Sequence, residues 1–134
     1  MSQEQNLEIY RGDNESFTVT VRRSNAIYNI TSCTIWFTAK EDVMDADVDA
    51  VIRKSNGVLG GITITDAPAG EFTLSFVPAD TAALVVPTTV LPKDRAEYRI
   101  QLYYDMQLKT GGGEVFTFAK GYLHVKSDLT QVTV

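Results

Sequence analysis

One ten-residue stretch, residues 31–40 (TSCTIWFTAK), constrains the fold more than any other part of the chain. Its side chains alternate in character with a period of two, and neither glycine nor proline interrupts it. This alternation is typical of a β-strand, because successive side chains of a strand point to opposite faces of the sheet. One face would carry Cys33, Ile35, Phe37 and Ala39, and the other Thr34, Trp36, Thr38 and Lys40. Since β-branched and aromatic residues dominate, we expect this strand near the middle of a sheet.

Similar segments recur at intervals of roughly ten residues, with turn-forming residues between them. The further predicted strands lie at residues 7–10, 15–22, 51–54, 62–65, 71–77, 98–108 and 114–120, the last continued by residues 122–126, and residues 26–30 are a brief candidate. Gly121 is expected to break or bulge the ladder between residues 120 and 122. Residues 78–84 alone suggest a helix, and that turn is too short to be stable by itself. We therefore predict an all-β fold, an antiparallel immunoglobulin-like β-sandwich of about seven to nine strands with one short helical turn. Residues 1–6 are expected to form a flexible N-terminus, residues 7–126 the sandwich domain and residues 127–134 an extended C-terminal tail.

Charge and cysteine content exclude several classes of protein. The 134 residues carry a formal charge of -5, which disfavours binding to nucleic acid or to an anionic membrane, because phosphate recognition needs clustered lysine and arginine. Cys33 is the only cysteine, so no internal disulfide can form, and its apolar surroundings predict a buried, inert thiol. The sequence shows no secretory signal and no run of the ~20 apolar residues that a membrane span needs. We expect a soluble protein made in a cytoplasm.

An acidic run is the strongest suggestion of a metal site. Three aspartates alternate like the first ligands of a calcium loop, namely Asp45, Asp47 and Asp49. Such a loop would continue with glycine and glutamate, whereas this chain has Ala50 and Asn56 at those positions. We interpret the run as a solvated acidic connection, and the alternative is a weak cation site shared with Glu41 and Asp42.

Catalytic chemistry finds little support in the sequence. Cys33 and His124, the only histidine, could pair as nucleophile and base, but His124 is expected to point to solvent and Cys33 to the core. The glycines at 111–113 precede a strand, so they predict a hairpin turn rather than a phosphate-binding loop. No motif of a hydrolase, a zinc protease or a nucleotide-binding loop occurs. We expect no enzyme activity and no cofactor.

Aromatic residues on the outward faces of strands leave one option for binding. Trp36 and Tyr103 lie opposite the most apolar rows, and Tyr122 shares an outward face with His124. Exposed aromatic rings can stack on sugars or anchor a protein partner, so a host-surface glycan is a possible ligand. The alternative is that loops or neighbouring subunits cover this face, because a strand that is apolar on both sides is usually buried on both sides.

Several stretches together resemble a family of small β-sandwich modules in tailed-bacteriophage virion proteins, similar to the immunoglobulin-like N-terminal module of upper baseplate proteins. The matching segments are residues 9–13 (IYRGD), 17–21 (FTVTV), 34–40 (TIWFTAK), 62–66 (ITITD), 72–76 (FTLSF), 98–102 (YRIQL) and 121–125 (GYLHV). The resemblance implies a rigid, non-enzymatic structural component of the virion, which mediates assembly or attachment in the tail, baseplate or neck. Head decoration and host-surface glycan binding are the alternatives.

A virion component needs surfaces that join it to its neighbours. The tail at residues 127–134 has apolar residues suited to pairing with an edge strand, namely Leu129, Val132 and Val134. The strand at residues 7–10, with Leu7 and Ile9, is the second candidate. We therefore expect a homo-oligomer that also contacts other virion proteins, assembled in the host cytoplasm and located in the virion.

Overall fold

The computed structural model describes residues 3–10, 13–41, 50–81 and 99–126. Its strands are β1 (Gln3–Glu4), β2 (Leu7–Tyr10), β3 (Glu15–Thr20), β4 (Arg22–Arg23), β5 (Ala26–Ile27), β6 (Thr34–Lys40), β7 (Ile52–Ser55), β8 (Ile62–Asp66), β9 (Glu71–Phe76), β10 (Arg99–Lys109) and β11 (Val115–Lys126). One helical turn, α1 (Pro78–Thr81), follows β9, and it confirms the helical turn expected from the sequence. The acidic run at Asp45–Asp49 and the tail at 127–134 lie outside the described residues.

The strands form a two-sheet sandwich. The larger sheet has the order β1-β11-β10-β6-β7, with β2 also paired to β11, and the smaller sheet has the order β3-β9-β8. This arrangement matches the immunoglobulin fold, in which the strands called G, F, C and C′ face the strands called B, E and D. The predicted immunoglobulin-like sandwich is confirmed. The structure differs from the predicted antiparallel arrangement in one detail: β1 and β2 pair with β11 in parallel.

The core lies between the two sheets and is dominated by aromatic and branched side chains. In β6 the predicted alternation is observed, since Ile35, Phe37 and Ala39 are fully buried and the residues between them are half-buried. Phe37 stacks on Tyr104 of the same sheet at a ring-centroid distance of 5.3 Å. It also meets Phe76 of the facing sheet edge-on at 5.5 Å. The central strand therefore fastens the two sheets together.

A β-bulge in β11 sets which of its side chains enter the core. The pairing with β10 shifts between Met106 and Gln107, so Phe118 has no direct partner and both Phe118 and Ala119 are buried. Strand β11 runs through Gly121 without a break, so the sequence-based placement of a strand break or bulge at that glycine was wrong. Gly121 is required for another reason, because a Cβ there would lie 2.2 Å from the main-chain oxygen of Gln5.

The N-terminal segment crosses β11 at this glycine. The register of β1 and β2 on β11 is the same, and Gln5 and Asn6 interrupt the strand without shifting it. Gln5 donates its main-chain N–H to the oxygen of Lys120 at 3.0 Å, and the Tyr104 hydroxyl donates to the Gln5 oxygen. The N-terminus, predicted to be flexible over residues 1–6, is therefore part of the sheet from Gln3 onward.

The edge of the sandwich formed by β7 and β8 is closed by polar contacts. Ser55 and Gly61 form a parallel bridge between the two sheets. The Lys54 side chain, 7% exposed, points inward and places Nζ 2.5 Å from Asp80 Oδ2 on α1. Its stem passes over Gly61, where a Cβ would lie 2.2 Å from Lys54 Cδ. We call this edge the closed seam.

Candidate interaction site

The outer face of the larger sheet carries most of the aromatic residues that the sequence singled out. In β10 the inward residues Leu102, Tyr104 and Met106 are buried, so Tyr103 lies on the opposite, outer face. The register places Tyr103 directly opposite Tyr122 of β11 on one side and Lys40 of β6 on the other. Strand pairing alone therefore brings these side chains to neighbouring positions on one surface.

Three rings on this face form a continuous row, which we call the aromatic row: Tyr103, Tyr122 and His124. The ring centroids of Tyr103 and Tyr122 are 5.3 Å apart with planes tilted by 55°. Tyr122 and His124 are nearly parallel, at 8°, with centroids 6.1 Å apart. Contacts on both sides hold the Tyr122 ring in place, yet 37% of the residue remains exposed. An exposed but preoriented tyrosine is a common anchor in protein interfaces.

His124 lies on the outer face, as predicted, but it is not solvent-exposed. The residue is only 9% exposed, and its Nε2 lies 3.0 Å from Gln101 Oε1. Burial follows from its position, because Tyr122 stacks on one side and β2 pairs along the strand at Glu8. The expectation that His124 points to solvent was therefore wrong. The His124 ring instead stacks on Tyr122 and helps to hold the tyrosine ring in its orientation.

Charged residues flank the aromatic row at the end of β11. Lys126 Nζ lies 3.4 Å from Glu8 Oε2 and 5.9 Å from the ring centroid of Tyr10. Both the ion pair and the Tyr10 ring are partly exposed, so they add a polar rim beside the row. Interfaces commonly combine a central aromatic cluster with such a rim.

Trp36 does not belong to the aromatic row, although the sequence suggested it as a second exposed ring. Its neighbours by register are Gln107 on β10 and Ser55 on β7, four residues along β10 from Tyr103. Four residues of strand correspond to about 14 Å, too far for the two rings to act on one small ligand. Trp36 is half-buried, and the neighbouring Ser55 is buried.

Leu7 and Ile9 were candidates for pairing with a neighbour, and the structure places their side chains elsewhere. Leu7 is 6% and Ile9 1% exposed, and both belong to the main core cluster. They are covered because β2 adds to the edge of β11, which turns alternate side chains inward. Ile9 therefore has almost no surface left for a partner, and Leu7 keeps only a small exposed part. The remaining interaction candidates, Leu129, Val132 and Val134, lie outside the described residues.

Cys33 and His124 are not brought together as a catalytic pair. Cys33 immediately precedes β6 rather than lying within it, beside the end of β10 opposite to Gln101 and His124. By strand rise the two residues are about 30 Å apart. The Cys33 thiol is buried, as expected, and donates to the Thr31 oxygen at 3.7 Å. Burial raises the pKa of this thiol, which lowers its reactivity.

Metal-ligand clusters and membrane-spanning helices are both absent from the described ranges. No group of three or more His, Cys, Asp or Glu side chains within 3–10, 13–41, 50–81 and 99–126 is placed to hold a metal ion. In the same ranges there is no helix with the length and apolarity needed to cross a membrane.

Similarity to known proteins is found in structure and not in sequence. No protein-family model matches the sequence, and no curated protein sequence does either. The structure is similar to a chain in the crystal structure of ICOS in complex with ICOS-L and an anti-ICOS-L VNAR domain, with a TM-score of 0.48 and 11% sequence identity. The match covers 93% of this chain and 56% of that chain, so this chain spans little more than half of its length. The strand order described above defines this protein as an immunoglobulin-like β-sandwich.

Proposed function

We propose that this chain is a non-enzymatic structural module of a tailed-phage virion, which attaches to other virion proteins in the tail, baseplate or neck. The phage context comes from the resemblance of its strand and turn segments to upper-baseplate modules. The attachment role is supported by the aromatic row, since Tyr122 is 37% exposed while neighbouring rings fix its orientation. A side chain that is already ordered loses little entropy when a partner covers it.

A sheet face is well suited to such attachment. The aromatic row lies on β10 and β11, which pair over their whole described length and form the centre of the larger sheet. Sites on strands are held more rigidly than sites on loops. Tyrosine supplies a large contact area with few rotatable bonds, so a partner surface can pack on the row with modest ordering cost.

The test is incorporation into virions. Phage genomes carrying the wild-type gene, Tyr122→Ala or the control Val115→Ala would be propagated, and the protein in purified particles quantified by mass spectrometry. Val115 is also exposed on β11, but at the opposite end of the strand. We expect wild type and Val115→Ala in the particles at equal levels and Tyr122→Ala at least tenfold lower. Absence of the wild-type protein from particles would overturn the proposal.

Glycan binding is the second candidate, favoured by the same exposed ring of Tyr122. An aromatic face can stack on a sugar ring, and Gln101 beside His124 offers a polar group next to it. A glycan array with purified protein separates the two proposals. A specific glycan signal that disappears in Tyr122→Ala would support adsorption to the host surface, and no signal with wild type would reject it.

A further inference from the structure

The edge of the sandwich opposite the closed seam is open. Here β3 of the smaller sheet faces β1 and β2 of the larger sheet, and no β-bridge joins them among the described residues. A groove of about 270 Å³ runs between them. Its apolar lining consists of Leu7, Phe17, Val19, Tyr104, Met106 and Phe118. We call this edge the open seam.

The core side chains of β3 show that the seam is incompletely covered. Phe17 and Val19 point toward the core but are only half-buried. On the neighbouring strand β9, Phe72 and Leu74 face the same core and have no exposed surface. The difference arises at the open seam, because β3 is an edge strand and nothing described lies over its outer side.

The main chain of β3 is also available along this seam. The main-chain N–H of Val21 donates to the oxygen of Gly70 at 2.8 Å, just beyond the last pair of β3 and β9. This bond shows which residues of β3 hydrogen-bond to β9. Because hydrogen-bonded and non-hydrogen-bonded pairs alternate in an antiparallel ladder, Phe17 and Val19 bond to β9. The N–H and C=O groups of Ser16, Thr18 and Thr20 therefore point to the open seam. Nothing in the part of the chain that the structure describes pairs with these groups, and edge groups left unpaired in this way are a template for an added strand.

We infer that the open seam accepts residues 127–134 of a second copy of this chain as an added strand paired with β3. This inference rests on the proposed role in virion assembly and names one partner and its site. The segment has eight residues and β3 has six, so an extended segment of about 26 Å can cover the whole strand. Residues 129–134 (LTQVTV) have no charged side chain, and their side chains would alternate between two faces of a strand, which suits an apolar groove flanked by edge hydrogen bonds.

A second copy fits the connectivity better than the same copy. Strand β11 ends at Lys126, which lies directly beside Tyr10, the last residue of β2. The connection from Tyr10 leads to β3, which begins at Glu15. A segment leaving Lys126 would have to reverse direction and pass this connection before reaching the open seam of its own copy. Few of the eight residues would then remain for pairing. A neighbour's segment meets no such restriction.

The pattern of the segment specifies which side chains enter the groove. Thr130, Val132 and Val134 share one face, and Leu129, Gln131 and Thr133 share the other. Two valines make the first face the better match for an apolar groove. Val132→Asp should therefore abolish docking, and Thr133→Asp provides a matched control with the same charge on the opposite face.

The acceptor strand offers an equally matched pair of variants. Thr18→Pro removes an N–H that points to the open seam, and proline is tolerated on an edge strand at such a position. Thr18→Ala removes the same side chain but keeps the N–H. If Thr18→Pro fails to fold, the tail variants still decide the question, because their substitutions lie beyond the sandwich.

Sedimentation velocity on the full-length chain and these variants is the test. We expect a defined oligomer for wild type, Thr133→Asp and Thr18→Ala, and a monomer for Val132→Asp, Thr18→Pro and a chain ending at Lys126. An oligomer that persists in Val132→Asp overturns the inference, as does a monomeric wild type. Virion incorporation separates the two proposals. An oligomer that persists in Val132→Asp while the wild-type protein is found in particles contradicts this inference but not the attachment role of Tyr122. A wild-type oligomer that is absent from particles contradicts the attachment role but not the docking of the tail.

Discussion

Lys54 and Asp80 form an ion pair inside the sandwich, with Nζ and Oδ2 2.5 Å apart and side chains 7% and 19% exposed. The ammonium group also lies 5.6 Å from the ring centroid of Phe76. Asp80 Oδ2 additionally accepts the main-chain N–H of Val77 at 2.8 Å, which ties α1 to the end of β9. This pair holds the two sheets together at the closed seam.

Removing the cation should destabilise the protein strongly. Lys54→Ala leaves Asp80 without its partner, and breaking a buried pair from one side costs about 3–5 kcal/mol. We expect roughly 3 kcal/mol here, the low end of that range, because Asp80 retains some exposure. Arg53→Ala, at an exposed position on the same strand, should change stability by less than about 0.5 kcal/mol. Urea unfolding of both variants measures the difference, and equal midpoints would refute this role for the pair.

The crossing of the N-terminal segment over β11 predicts a glycine requirement. Gly121→Ala should cost about 1–3 kcal/mol, because the added Cβ would displace Gln5 and its hydrogen bonds to Lys120 and Tyr104. Gly112→Ala is the control, since its nearest neighbour would be a side-chain atom at 3.8 Å. Thermal unfolding checks the prediction, which fails if the two variants melt together.

Tyr104 predicts a loss of stability at high pH. Burial raises the pKa of Tyr104 to about 12 from an ordinary value of 10. Above pH 10 the unfolded chain loses this proton before the folded one does, so stability falls as pH rises from 10 to 12. The loss from this residue should be on the order of 2 kcal/mol. Tyr104→Phe should show a shallower decline between these pH values in urea unfolding, and an unchanged slope would contradict the assignment.

Adjacent residues on the central strand should respond differently to truncation. Phe37 is fully buried between the sheets, so Phe37→Ala should cost about 3–5 kcal/mol. Trp36 is half-buried on the outer face, so Trp36→Ala should cost less than half as much, despite the larger side chain removed. Chemical unfolding of both variants provides the comparison. A larger loss for Trp36→Ala would show that the outer face at this position is part of the core.

Some of these features could be predicted from the sequence because they depend on local alternation. The inward face of β6 and the shared outer face of Tyr122 and His124 follow from a period of two. A bulge in this strand was detectable in principle, since its large apolar residues shift from even positions, Phe116 and Phe118, to odd positions, Leu123 and Val125. The sequence predicted the irregularity at Gly121, because glycine is often found at bulges, whereas the bulge lies at Phe118.

Other features depend on contacts between distant parts of the chain. Lys54 alternates like any strand residue, and its burial follows from Asp80, 26 residues further along. Leu7 and Ile9 looked suitable for an external partner, and they are buried because β2 pairs with β11 of the same chain. His124 is covered by Tyr122 and β2 in the same way. Periodicity predicts faces of a strand but not which element covers them.

Amide hydrogen exchange in β3, compared between the full-length chain and one ending at Lys126, tests most directly whether the open seam is an assembly site. The amides of Phe17 and Val19, which hydrogen-bond to β9, should be protected in both proteins. If residues 127–134 of a neighbour pair with β3, the amides of Ser16, Thr18 and Thr20 should be protected only in the full-length chain. Equal, fast exchange of these three amides in both proteins would contradict the account.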